Sequence, residues 1–83
     1  MTARELKIET EFFLDKVIYG VFFINQDLIA ISYEFESIDI RNKDDLSLIL
    51  NIPFNHNVYS FNKTARYYLF GGNRVLLITN HYF

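Results

Sequence analysis

This sequence predicts an α+β, β-rich fold, an antiparallel sheet of about five strands with one short helix, folded as a single small domain over residues 1–83. Three observations predict it. Its apolar runs are short and rich in β-branched and aromatic residues, which suit a pleated, half-buried surface. Two triplets, Asn25-Gln26-Asp27 and Gly71-Gly72-Asn73, separate consecutive runs as hairpin loops do. One further run follows a cluster of acidic residues, the pattern of a helix start.

In chain order, Leu6-Lys7-Ile8-Glu9-Thr10-Glu11-Phe12 alternates apolar and charged residues with period two and predicts a strand with one wet face. A second, N-terminal helix over residues 3–16 stays open, because Thr2 and Glu5 have capping-box spacing and Leu6, Phe13 and Val17 share a helical face. Residues 17–24 and the run from Leu28 predict a hairpin. In its second arm Ile29, Ile31, Tyr33 and Phe35 share one face, while Ile38 and Ile40 have the opposite parity. Either a one-residue bulge near Glu36 or Ser37 restores the face, or the strand crosses to another packing partner.

Asn42-Lys43-Asp44-Asp45 ahead of Leu46, Leu48, Ile49 and Leu50 predicts the short helix, with acidic side chains at its positive end and Pro53 stopping it. Strands over residues 58–61 and 66–70 follow. Gly71-Gly72-Asn73, read as residues that tolerate positive φ, then leads into Val75–Ile78 and completes a C-terminal hairpin. Asn62-Lys63-Thr64 fits a glycosylation sequon but reads as a turn.

Composition limits the work such a domain can do. Hydrophobic residues make up 51% and aromatic residues 18%, with nine Phe and six Tyr. Each buried aromatic removes roughly 150–250 Å² from water, more in sum than one small core absorbs, so the surplus is expected on the surface as a contact face. The absence of Cys excludes disulfides, thiolate metal sites and thiol nucleophiles together. A net charge of −2 with interspersed signs offers no basic footprint for nucleic acid. Neither a signal peptide nor an 18-residue apolar span is visible, so a soluble cytoplasmic protein without membrane association is expected.

Few residues carry the means for chemistry. His56 and His81 are the only imidazoles, and neither has a carboxylate motif beside it. They read as structural, and no catalytic residue, cofactor or metal is expected. Glu34, Glu36 and Asp39, near Asp44 and Asp45, form a candidate acidic patch for steering a basic partner. Arg66, Tyr67 and Arg74, with Tyr68, form a candidate stacking and pairing surface on the last hairpin.

Two stretches carry a family resemblance. Leu6-Lys7-Ile8-Glu9 running into Phe12-Phe13-Leu14-Asp15-Lys16, and Leu50-Asn51-Ile52-Pro53-Phe54 followed by Asn57-Val58, resemble segments of the cloacin and colicin ribonuclease immunity proteins. Proteins of that family are strongly acidic, carry Trp in the first segment and differ in the C-terminal third, whereas this chain has no Trp. The resemblance implies an inhibitor that binds a toxin nuclease and blocks substrate access.

The expected function is therefore a small protein-binding inhibitor or accessory module, not an enzyme. It would act by steric occlusion in the manner of immunity proteins or phage anti-defence proteins. Its partner is a protein, with a nuclease or nucleic-acid-processing complex as the implied class. The alternatives are a homo-oligomeric structural module, with spare aromatics closing a dimer, and a single-stranded nucleic-acid-binding sheet.

Overall fold

The computed structural model describes residues 11–80, which are all-β. Strands β1 (Ile18–Phe23), β2 (Leu28–Tyr33), β3 (Ser37–Asn42) and β4 (Leu48–Pro53) form one antiparallel sheet in the order β1-β2-β3-β4. Strands β5 (Val58–Lys63), β6 (Tyr67–Gly72) and β7 (Val75–Thr79) form a second, in the order β5-β6-β7. The α+β expectation of about five strands and a helix is thus corrected to seven strands in two sheets.

The segment expected as a helix is β4. Its apolar run is too short to offset the cost of helix nucleation, and Pro53 closes it on the far side. Leu50 and Ile52 pair instead with Ile40 and Ile38, so the alternation of β4 matches that of β3. Ile49 is the extra residue of a bulge, since Ile40 pairs with Leu50 and Arg41 with Leu48. The acidic residues ahead of the run shape a turn. Asn42 Oδ1 accepts the Asp44 N–H at 2.8 Å, and Asp45 Oδ1 accepts the Ser47 N–H at 2.9 Å. Side chains that compete this way for nearby backbone donors favour turns over helix interiors.

The break in parity after Phe35 is a strand reversal, neither a bulge nor a crossing. Residues 34–36 turn the chain between β2 and β3, and Ser32 pairs with Ile38 across it. The expected first strand over residues 6–12 lies outside the described residues except for Glu11 and Phe12, which belong to no regular element. The β1–β2 hairpin is where its loop triplet places it. Asn25 Oδ1 accepts the N–H groups of Asp27 and Leu28 at 2.8 and 3.0 Å. Thr64 begins the β5–β6 turn, its Oγ1 accepting the Tyr67 N–H at 3.0 Å.

The C-terminal hairpin is also in place, but its glycines act differently from the expectation. Neither Gly71 nor Gly72 has positive φ, and the turn falls after them. They allow close approach of β5 instead. A Cβ on Gly71 would lie 2.8 Å from Ser60 Oγ, and one on Gly72 would overlap the Asn57 carbonyl oxygen.

The inner faces of the two sheets enclose the main core. Ile24, Ala30, Ile38 and Ile40 from the first sheet meet Val58, Tyr68 and Phe70 from the second, all buried. The sheets join at a seam where β1 and β5 run side by side in the same direction. There Phe22 lies 6.4 Å from Phe61, Ser32 Oγ donates to the Val58 carbonyl at 3.2 Å, and Lys63 Nζ donates to the Ile24 carbonyl at 2.8 Å. Among the described residues no helix is long and apolar enough to cross a membrane.

Because the Gly72 collision is with backbone, which has little room to move, Gly72→Ala should lower stability by about 1–3 kcal/mol. Urea unfolding followed by circular dichroism measures this, and an unshifted midpoint would remove the close-approach explanation.

Candidate protein-binding surface

The turn between β2 and β3 presents Glu34, Phe35 and Glu36, all exposed. Phe35 has φ of 50°, the left-handed region, where an L side chain crowds its own carbonyl at a cost of roughly 1–2 kcal/mol. The turn is tied down on both sides. Glu34 N–H donates to the Val17 carbonyl at 2.9 Å, and Phe35 N–H donates to Asn57 Oδ1 at 2.8 Å. Asn57 is itself buried, so the aromatic ring is held outward from a fixed base, 62% exposed.

These ties draw three segments into one rim. Val17 and Ile18 at the start of β1 lie beside the turn, and Tyr59 follows Asn57 at the start of β5. Tyr19 and Tyr59 meet edge to face, their ring centroids 5.1 Å apart. A hydrogen bond with Tyr59 raises the Tyr19 phenol above its ordinary value, and the charges of Tyr59 and Glu34 act in the same direction. Val17, Ile18, Tyr19, Phe35 and Tyr59 are all exposed. Glu36 lies 3.4 Å from Lys16 with both side chains about half exposed, a pair worth little in water. The rim therefore combines apolar and aromatic surface with two accessible carboxylates.

Asp39 is not part of that surface, which corrects the expected three-residue acidic patch. It points to the outer face of β3 and is 3% exposed. Its Oδ2 accepts from Tyr33 Oη at 2.7 Å and from Arg41 Nε and Nη2 at 3.0 and 2.8 Å, while Oδ1 accepts from Asn51 Nδ2 at 2.7 Å. Arg41 Nη1 donates onward to the Leu46 carbonyl at 2.7 Å. Burial works to raise the Asp39 carboxyl, but the hydrogen bonds from Asn51, Tyr33 and Arg41 and the Arg41 charge outweigh it and hold the group below the usual carboxylate range. Burial, and then the bond to Asp39, push the Tyr33 phenol up to about 12. The cluster has the form of a satisfied structural network, and no buried side-chain nitrogen or oxygen among the described residues lacks a partner.

The basic and aromatic candidates do not converge. Arg66 and Tyr67 line one open groove of about 410 Å³ with Thr79 and Asn80. Arg74 lines another, of about 430 Å³, with Glu36, Pro53, Phe54, His56 and Val75. The two arginines flank opposite ends of β6, and six strand residues at about 3.3 Å each separate them by roughly 20 Å. Glu36 and Arg74 share a groove, an association that sequence distance hid. His56 packs edge-on against Phe54 at 5.1 Å, and His81 lies outside the described residues. Among the described residues no three His, Cys, Asp or Glu side chains gather where they would hold a metal ion.

Val17, Tyr19, Phe35 and Tyr59 were not singled out in the sequence. For Phe35 a signal was present: an aromatic between two glutamates at a break in parity marks an exposed turn. For Tyr19 and Tyr59 no local pattern indicates that β1 and β5 adjoin. In comparisons with known proteins, no family model, curated protein or solved structure matches the chain.

The Tyr33–Asp39 bond sets a pH dependence. Because the folded pKa of Tyr33 lies above its unfolded value near 10, its contribution is complete below pH 10 and is lost as pH rises through about 12. Asp39, with its folded value lowered, adds stability above its unfolded value that disappears as pH falls through the folded one. Tyr33→Phe should abolish the alkaline loss between pH 10 and 12 that is specific to this phenol. Thermal melts of both proteins across that range test it, and equal alkaline slopes would refute the assignment.

Proposed function

We propose that this protein is a binding inhibitor or accessory module that occludes a protein partner with the rim around Phe35, working without catalysis in the cytoplasm. The observation that carries the reading is Phe35 itself. A bulky ring with left-handed backbone, exposed to water and braced from beneath by Asn57, contributes nothing evident to the interior yet costs stability. Such costs concentrate where a surface acts on something else. Aromatic anchors with few rotatable bonds dominate binding energies, and carboxylates beside them speed encounter with a basic target. Glu34 and Glu36 supply those carboxylates, and Tyr19, Tyr59, Val17 and Ile18 extend the apolar contact. The likeness of two segments to ribonuclease immunity proteins favours a nuclease as the target, whose substrate-binding surface is necessarily basic.

Phe35→Gly separates this role from a structural one. Glycine relieves the backbone, so the variant should melt at the same temperature as the parent or higher. Its recovery of a stoichiometric protein partner from the native cell should fall at least about tenfold, the loss expected for an anchor worth 1.4 kcal/mol or more. Quantitative mass spectrometry of co-purifying proteins provides the readout. Equal recovery by parent and variant, or no partner with the parent, would reject the proposal.

A further inference from the structure

Among the described residues the two sheets leave two outer strand edges, β4 and β7, since β1 and β5 flank each other at the seam. Unpaired strand edges template further pairing unless something blunts them. The β4 edge is blunted twice, by the bulge at Ile49 and by Pro53. The β7 edge carries neither device. Val75-Leu76-Leu77-Ile78-Thr79 contains no charge and no proline, and its register with β6 runs without a shift.

The direction of its backbone groups follows from the hydrogen bonds that bracket it. Gly72 N–H donates to the Arg74 carbonyl at 3.0 Å, and Asn80 N–H donates to the Arg66 carbonyl at 2.8 Å. In an antiparallel ladder the bonded residues alternate, so Leu76 and Ile78 turn their backbone groups toward β6. Val75, Leu77 and Thr79 turn theirs outward. Those same residues share the outer face, where Val75 is 66% and Leu77 53% exposed.

We propose that β7 pairs antiparallel with β7 of a second copy of this chain, about a two-fold axis through Leu77, joining two three-stranded sheets into one. The occupant follows from self-complementarity. Leu77 facing Leu77 of the partner, with Val75 facing Thr79 on either side, is the one register that engages every outward-facing residue of both strands, each pair exchanging two backbone hydrogen bonds. It sets Arg74 beside a neutral Asn80, so like charges do not oppose. The outer face then presents a continuous Val75-Leu77-Thr79 stripe across the axis, adding apolar contact to the strand bonds. A closed two-fold pairing also uses up the bare edge, whereas a heterologous one would leave it free to extend. Val75, at one end of this interface, lines the groove that Glu36 borders, so the pair adjoins the rim around Phe35 without using Phe35 itself.

The test uses the intact chain. Sedimentation equilibrium should show a reversible dimer. Leu77→Lys, at an exposed position, should fold as the parent does and weaken the dimer at least about tenfold, because two ammonium groups then face each other. Leu77→Glu should weaken it likewise, and mixing the two variants should restore pairing, as only a residue that meets itself on the axis can do. Leu77→Cys gives an independent reading, since the chain has no other cysteine. Across a bonded pair the Cα atoms lie about 5.5 Å apart, within disulfide reach, so this variant should crosslink readily and Val75→Cys slowly. A monomer at every concentration, a dimer indifferent to Leu77→Lys, no rescue on mixing, or crosslinking at Val75 equal to that at Leu77 would each overturn the proposal. None of these outcomes bears on whether Phe35 anchors a partner.

Discussion

Strand β2 is buried along its whole length, and much of the molecule can be derived from that constraint. A strand offers alternate side chains to opposite faces, so burying all of β2 requires cover on both sides of its sheet. On the inner face Ala30 and Leu28 meet the second sheet through Val58, Tyr68 and Phe70. On the outer face Ile29, Ile31 and Tyr33 form a second apolar cluster, packed by Leu14 ahead of β1 and Leu46 ahead of β4. A small chain thus obtains two cores from one central strand, and it covers the outer one with connecting segments.

That economy explains a charged pair inside a domain with little interior to spare. Residues alternating with Ile38 and Ile40 on β3 must face the outer layer, and there Asp39 and Arg41 sit beside Tyr33. A buried ion pair seldom adds net stability, but breaking it leaves an uncompensated charge. Here it ties both arms of the β2–β3 hairpin together at Tyr33 and Asp39, and Arg41 holds the loop before β4 through the Leu46 carbonyl. Directly beyond Tyr33 comes the turn that carries Phe35. The polar cluster therefore stiffens the stalk of that turn from within, while Asn57 braces it from the neighbouring sheet. Preorganisation of this kind lowers the ordering cost of association.

Local signals revealed local structure, and the tertiary arrangement stayed hidden. Asn25-Gln26-Asp27 and Gly71-Gly72-Asn73 marked both hairpins correctly because turn chemistry acts over a few residues. The physical reason assigned to the glycines was wrong, since what restricts them is Ser60 on β5 and Asn57 just ahead of it. The run from Leu46 to Leu50 suited both helix and strand, and β3 as a pairing partner decided between them. Surplus aromatic surface was legible from composition, and Phe12, Phe13, Tyr19, Phe23, Phe35 and Tyr59 are indeed exposed. Glu34 and Glu36, read as surface from their charge, are exposed at the β2–β3 turn. Asp39 was misread as surface because its partners Tyr33 and Asn51 join it only through strand pairing.

In each sheet the strands lie side by side in the order in which they occur along the chain. Every ladder consequently joins sequence neighbours across a short connection, and little loop-closure entropy is lost in forming it. Most all-β domains fold slowly because distant segments must find one another first. Here each meander can zip outward from its own hairpins, and only the docking of the two halves, along the β1–β5 seam and between their facing cores, awaits a long-range encounter. Kinetic control over when the molecule becomes competent to act would then reside in that late docking step, which also brings Asn57 up beneath the Phe35 turn.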